Sequence, residues 1–218
     1  MTLCYMNDAV DSADQKLFHY IVNNYPRIAI SYSEEIEDTL NKRVASSKER
    51  CKNIGRLRKE IIAEYVSKAG YSLSAVDELF NVWRTERCKT RLIPYARELL
   101  HLLHDHNYKI AVITNGTSDM SYHHDLDSII DVFVNPELCG DSKPSVIPYH
   151  RVMESVGVFN PSIYLHVGDA YDTDVMGAMA SGWYSVLITN NSVPTVIPNR
   201  PPTLVVSTLE ELYNVFKQ

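Results

Sequence analysis

The spacing of apolar residues changes near residue 92 and divides the chain into two patterns. Before that point the period is helical and strand signals are almost absent. Ala9–Tyr25 carries Val10, Leu17, Phe18 and Ile21 on roughly one helical face and stops at Pro26, a residue that cannot continue a helix. Ser33, followed by Glu34, Glu35 and Glu37, has the make-up of an N-cap with acids in the first turn, ahead of a helix bearing Ile36, Leu40 and Val44. Ile54–Ala69 places Ile54, Leu57, Ile61 and Tyr65 three and four residues apart, with Gly70 following as a C-terminal cap. Ser74 caps a further helix with Val76, Leu79, Phe80 and Trp83. These segments predict an all-helical unit over residues 9–91.

From residue 92 short β-branched runs alternate with amphipathic segments, the sequence form of strand–helix–strand units around a parallel sheet. Five strands are predicted, at Lys109–Ile113, Asp131–Val134, Tyr164–Val167, Ser185–Ile188 and Leu204–Val206. Between them lie a helix opened by Pro94 and carrying Leu99, Leu100 and Leu103, then helices at Ser145–Val156, Asp172–Ala180 and Thr208–Phe216. The expected fold class is α/β: a Rossmann-like parallel sheet over residues 92–218 beside an all-helical unit.

Residue totals narrow the function. The chain has 218 residues, 45% hydrophobic and 22% charged, enough for one sizeable core or two and ordinary for a globular protein. Its 27 acids outnumber 21 lysines and arginines, giving a net charge of -6, and the cations form no long stripe. Nucleic acid is disfavoured as a partner, because such binding rests on clustered cations meeting phosphates. No run approaches the roughly 18 apolar residues that suggest a membrane span, and the N-terminus lacks a basic or hydrophobic leader region. The expected setting is intracellular, cytoplasmic or nuclear, without membrane attachment. Cys4, Cys51, Cys88 and Cys139 are scattered with no Cys-x-x-Cys pair, so neither a disulfide framework nor a zinc ribbon is signalled.

Chemistry on a parallel sheet belongs at the carboxyl ends of its strands, and three ends carry candidates. The first is Thr114-Asn115-Gly116, a hydroxyl followed by backbone N–H groups leading toward a helix, a cradle for an anion that also makes a good strand-to-helix turn. The second is Lys143 in Gly140-Asp141-Ser142-Lys143-Pro144, a cation in a loop between strand and helix. The third is Gly168-Asp169-Ala170-Tyr171-Asp172-Thr173-Asp174, where Asp169 and Asp174 straddle a helix start and Asp172 is available as its cap. Hard carboxylate ligands of this kind suit Mg2+, which takes one or two protein carboxylates and keeps several waters. His101, His104, Asp105 and His106 are weaker candidates, explained by a helix whose negative pole attracts histidine.

Thr114, then Lys143, then Gly168-Asp169 with Asp174, each at the end of a successive apolar strand, resembles the haloacid dehalogenase-like hydrolase superfamily. The resemblance covers that family's motifs II, III and IV over Leu92–Glu211; the helical unit over residues 9–91 is similar to its C1-type cap, which implies that residues 1–8 go with residues 92–218 in the Rossmann-like core. It implies a Mg2+-dependent phosphatase acting on a small phosphorylated metabolite through an aspartyl-phosphate. Thr114, Asn115 and Gly116 would then hold phosphate oxygens, Lys143 would neutralise the transferring group, and Asp169 and Asp174 would hold the metal directly or through water. Receiver domains also combine Asp, Thr and Lys around Mg2+, but with the acids first in sequence, and no Gly-x-Gly-x-x-Gly marks a dinucleotide site.

The family's opening motif, a strand ending in Asp-x-Asp-x-Thr, is absent from residues 1–218. The chain begins Met1-Thr2-Leu3-Cys4, as though entered at that threonine; Asp8 and Asp11 follow no apolar strand. Two expectations result: an upstream segment supplies the strand and both acids, or the chain is a shortened, noncatalytic relative that binds phosphate or a protein. In either case residues 1–218 should lack family-type hydrolysis. The family's sheet order places the missing strand between Lys109–Ile113 and Tyr164–Val167, so its absence should leave two inner strand edges unpaired or force them together.

Overall fold

A computed structural model describes residues 2–5, 7–28, 38–40, 42–43, 46, 53–117, 119–192 and 199–218. The predicted helix start at Ser33, with Glu34, Glu35, Ile36, Glu37 and Val44, lies outside the described residues, whereas Leu40 is buried in the helical core. The chain divides into two compact units: Met1–Tyr5, Arg91–Thr114 and His123–Gln218 in one, Met6–Thr90 with Asn115–Tyr122 in the other.

The helical unit contains α1 (Asn7–Asn24), α2 (Ile54–Lys68) and α3 (Ala75–Arg87). Its core joins Leu17 and Ile21 of α1 to Ile61, Ile62 and Val66 of α2 and Leu79, Phe80 and Trp83 of α3. Helix α2 starts at Asn53, whose side chain accepts the Arg56 N–H at 2.8 Å, and ends before Gly70 at φ +70, the left-handed position that glycine tolerates. Its buried face differs from the predicted stripe. Ile54 is exposed and Arg58 is buried. Arg58 is tolerated inside because its guanidinium meets Asp14 at 3.0 Å and lies over the Trp83 ring. Ser74 stands at the start of α3 without a side-chain cap bond; its hydroxyl pairs with that of Ser72 instead.

Asn115–Tyr122, expected within the sheet unit, belongs to the helical one. Arg84 of α3 explains this locally, donating to Asp119 at 3.0 Å and to the Thr117 carbonyl at 3.4 Å. Gly55 adds to it, since a Cβ there would lie 2.8 Å from the Thr117 methyl.

The sheet unit holds the five predicted strands and two short ones the apolar pattern did not signal: β1 (Cys4–Tyr5) and β2 (Arg91–Leu92), paired antiparallel. Two residues are too few to show an alternation. The others are β3 (Ala111–Ile113), β4 (Val132–Val134), β5 (Leu165–Gly168), β6 (Tyr184–Ile188) and β7 (Leu204–Val206). Ordered as β3-β4 and β5-β6-β7, all their pairings are parallel. One set of helices, α4 (Ala96–Asp105) and α9 (Leu209–Phe216), packs Leu99, Leu209 and Leu212 against Val186, Ile188 and Val206. Another, α7 (Ile147–Val156) and α8 (Met176–Ala180), packs Tyr149, Val152 and Ala178 against Ile113 and Val134. Short helices α5 (His124–Asp127) and α6 (Pro136–Cys139) complete the unit. Helix α9 opens with a reciprocal cap: Thr208 accepts the Glu211 N–H, and Glu211 accepts that of Ser207.

The parallel sheet is therefore split, and among the described residues no backbone pairing joins β3 to β5. A cavity of about 290 Å³ lies at the split, lined along its length by Lys109–Ile113 and Tyr164–Val167. Of the two arrangements expected for these edges, unpaired or forced together, the structure shows them unpaired. No described helix is long and apolar enough to cross a membrane.

Candidate functional site

The carboxyl end of β5 organises the site. Gly168 ends the strand because nothing larger fits: a Cβ there would lie 2.3 Å from the Cβ and Oδ2 of Asp174. The chain then makes one wide helical turn, Tyr171–Val175, before α8. That turn folds Asp174 back over the strand end, where its Oδ2 accepts the N–H groups of Asp169 and Ala170 at 3.1 and 3.0 Å. Asp172, the candidate cap, makes no such bond; Asp174 takes the orphan amides instead.

The second oxygen of Asp174 faces charge. Lys143 Nζ sits 2.8 Å from Oδ1, with side-chain exposures of only 11% and 6% for the pair. The same ammonium donates to the Ile113 carbonyl at 2.8 Å, tying the Lys143 loop to the end of β3. His166, two residues before Gly168 and buried, places Nε2 3.4 Å from the same Oδ1. Burial by itself would raise the Asp174 carboxyl, but the His166 hydrogen bond and the Lys143 charge outweigh it and hold the group well below the usual carboxylate range. Burial lowers the His166 imidazole, so it stands neutral and donates its Nε2–H to ionised Asp174.

Beneath this cluster Tyr149 is fully buried. Its hydroxyl donates to the Asp174 carbonyl at 3.1 Å, its ring meets His166 edge-on, and burial pushes its hydroxyl pKa up. Gly177 makes the approach possible, since a Cβ there would stand 2.6 Å from the tyrosine oxygen. Asp169, at the rim, accepts a hydrogen bond from the Thr2 hydroxyl at 2.7 Å.

The structure thus links Lys143, Asp169 and Asp174 through one set of contacts, with Thr114 immediately after Ile113, whose carbonyl Lys143 holds. Thr114 itself continues the ladder, its N–H donating to the Val134 carbonyl at 3.0 Å. Asn115 and Gly116 belong to the helical unit. His166, Tyr149 and Thr2 were not among the candidates. A histidine inside an apolar strand that ends in Gly-Asp was the available signal for His166; nothing in the sequence marked Tyr149 as the floor of the site. Among the described residues no group of three or more His, Cys, Asp or Glu is placed to hold a metal, the histidines of α4 included.

A family model described as haloacid dehalogenase-like hydrolase matches residues 19–188. The chain belongs to that family. Among solved structures similar to this hydrolase-family chain is a 2-haloacid dehalogenase from Pseudomonas syringae pv. tomato DC3000, 22% identical, with a TM-score of 0.84, covering 99% of this chain and 94% of that one. An L-2-haloacid dehalogenase from Xanthobacter autotrophicus is 16% identical with a TM-score of 0.61, covering 99% and 94%. A phosphatase of the family from Thermococcus onnurineus is 18% identical with a TM-score of 0.56, covering 98% and 93%. At these identities the likeness is one of fold. No curated protein matches the sequence.

Proposed function

We propose that this hydrolase-family chain carries the anion- and metal-binding side of a phosphomonoester hydrolase site for a small phosphorylated metabolite, and that residues 1–218 by themselves bind without turning over. The observation that supports this is the buried Lys143–Asp174 pair at the end of β5 with the Asp169 carboxylate at its rim. A fixed ammonium beside an ordered loop is suited to an anionic ester. Thr114, which follows the Ile113 carbonyl held by Lys143, is assigned to its oxygens.

For magnesium the donor set fits an ion that takes one carboxylate directly. Asp169 offers that carboxylate, while both oxygens of Asp174 already accept N–H donors and would reach the ion through water. Bound there, the ion would offset charge on phosphoryl oxygens. Transfer to the protein needs a carboxylate in line with the leaving oxygen, and positioning is most of that catalysis. Asp174 is turned into the buried cluster, and residues 1–218 hold no Asp-x-Asp-x-Thr. The acid pair favours phosphate esters over haloacids, whose displacement needs no metal, and the lack of an attacking group equally supports a binding role.

The test is p-nitrophenyl phosphate with Mg2+, beside calorimetric titration with inorganic phosphate. We expect no hydrolysis and saturable phosphate binding that falls at least about tenfold in Lys143→Ala. Hydrolysis that Asp169→Ala abolishes would sink the nonhydrolytic part, and the absence of any phosphate binding would sink the assignment of the site.

A further inference from the structure

Among the described residues Tyr149 is the largest fully buried side chain, and its hydroxyl takes no part in the proposed ligand contacts. Packing accounts for its ring, which stands edge-on to His166 at 5.2 Å and to Trp183 at 5.1 Å. A phenylalanine would make the same contacts. A buried hydroxyl needs hydrogen-bond partners, and this one has two, the Asp174 carbonyl at 3.1 Å and the Thr173 carbonyl at 3.4 Å. Both belong to the wide turn Tyr171–Val175.

That turn is the unusual piece of backbone at the site. The Met176 N–H reaches back five residues to the Tyr171 carbonyl, a form of helix that is rare and concentrated at functional sites. Closing it one residue earlier would swing the side chains that follow by about 100° around the helix axis, so the width of the turn decides where Asp174 points. Two glycines leave room for the arrangement: a Cβ at Gly168 would lie 2.4 Å from the Asp174 carboxyl carbon, and one at Gly177 would lie 2.6 Å from the Tyr149 oxygen.

Lys143 and Tyr149 stand six residues apart on one segment, and both close on Asp174. The ammonium meets its carboxylate at 2.8 Å, and the hydroxyl meets its main chain. The other carboxylate oxygen takes the N–H groups of Asp169 and Ala170. One residue, held at both ends, therefore registers the segment that brings the cation against the segment that brings Asp169.

We propose that Tyr149 is a positioning residue of the site: its hydroxyl holds the wide turn Tyr171–Val175 and, through Asp174, fixes the Lys143 ammonium and the Asp169 rim as one unit that a phosphate-bearing ligand meets already assembled. The role rests on the phosphate reading of that site.

The test uses the intact 218-residue protein and Tyr149→Phe, which keeps the ring and removes only the oxygen. By NMR, hydrogen exchange at the Asp169 and Ala170 amides should quicken at least about tenfold. The Trp183 indole N–H, which faces Met153 Sδ at 3.4 Å, should keep its resonance. Calorimetric titration with inorganic phosphate should show an affinity at least about fivefold below that of the native chain. Unchanged exchange at the two amides, or unchanged phosphate affinity, would leave Tyr149 a packing residue and overturn the proposal. So would loss of the fold, or an equal disturbance at the Trp183 indole, either of which marks a general structural bond. Absence of phosphate binding by the native chain would remove the site and this role with it, whereas native binding that Tyr149→Phe retains in full removes the role alone.

Discussion

At the scale of single residues, the decisive pair is Lys143 with Asp174. Both are nearly buried, so the pair is costly to break: removing the cation leaves a carboxylate inside with only His166 and two amides. Lys143→Ala should cost about 3–5 kcal/mol, read as a lowered urea midpoint. The pH dependence has a definite sign. Because the Asp174 carboxyl is held well below its usual range, its contribution is fully present above the unfolded value of about 4 and is lost as pH falls through the folded value. Urea midpoints measured from pH 7 down to pH 3 should therefore fall less steeply for Asp174→Asn than for the native chain, from a lower start. Parallel curves would mean that Asp174 titrates alike in both states.

Among elements, the same contrast between buried and exposed charge recurs in the helical unit. Asp14 of α1 accepts the Trp83 indole N–H at 2.7 Å and the Arg58 guanidinium at 3.0 Å, so one carboxylate ties all three helices. Asp14→Ala strands Arg58 in the core and should cost about 3–5 kcal/mol. Asp38→Ala breaks only an i,i+4 contact with Lys42, whose side chains are 76% and 68% exposed for Lys42 and Asp38, and should change stability by less than about 0.5 kcal/mol. Comparable losses in the two variants would show that the Asp14 cluster is no anchor. These elements also mark what could be read in advance. The strands β3 to β7 and helices α4, α7, α8 and α9 stand close to where the sequence pattern put them, because each is a short apolar run or an amphipathic segment in regular alternation; the four-residue helices α5 and α6 are not predicted, being too short to show a helical period. Spacing failed at Arg58, where a charged residue sits inside on the strength of partners from α1 and α3. It failed again at β1 and β2, which are too short for a period. In the site, sequence order identified the loop ends that hold Lys143, Asp169 and Asp174. It could not show that Asp174 turns inward, because that depends on the missing Cβ of Gly168 and on His166 and Tyr149, contacts made only in three dimensions.

At the scale of the whole molecule, the helical unit and the sheet unit are built on separate buried cores, one in the former and two in the latter among the described residues, and each unit contains one of the chain's two tryptophans. Trp83 belongs to the helical core, between Asp14, Arg58 and Phe80. Trp183 belongs to the sheet unit, stacked on Tyr164 with ring centroids 4.5 Å apart and edge-on to Tyr149 at 5.1 Å. Cooperative unfolding is expected within one core and need not extend across two. Fluorescence can therefore be assigned to a unit by replacing the other tryptophan with phenylalanine. In Trp183→Phe, where Trp83 reports, adding Asp14→Ala should lower the urea midpoint strongly, while adding Gly168→Ala should move it little. In Trp83→Phe, where Trp183 reports, the order should reverse. A methyl at Gly168 must push Asp174 off the strand end, and Asp174 rests on Tyr149, the neighbour of Trp183. Overpacking of that kind costs about 1–3 kcal/mol. One shared midpoint that every variant moves equally would show instead that the two units unfold as a single cooperative block.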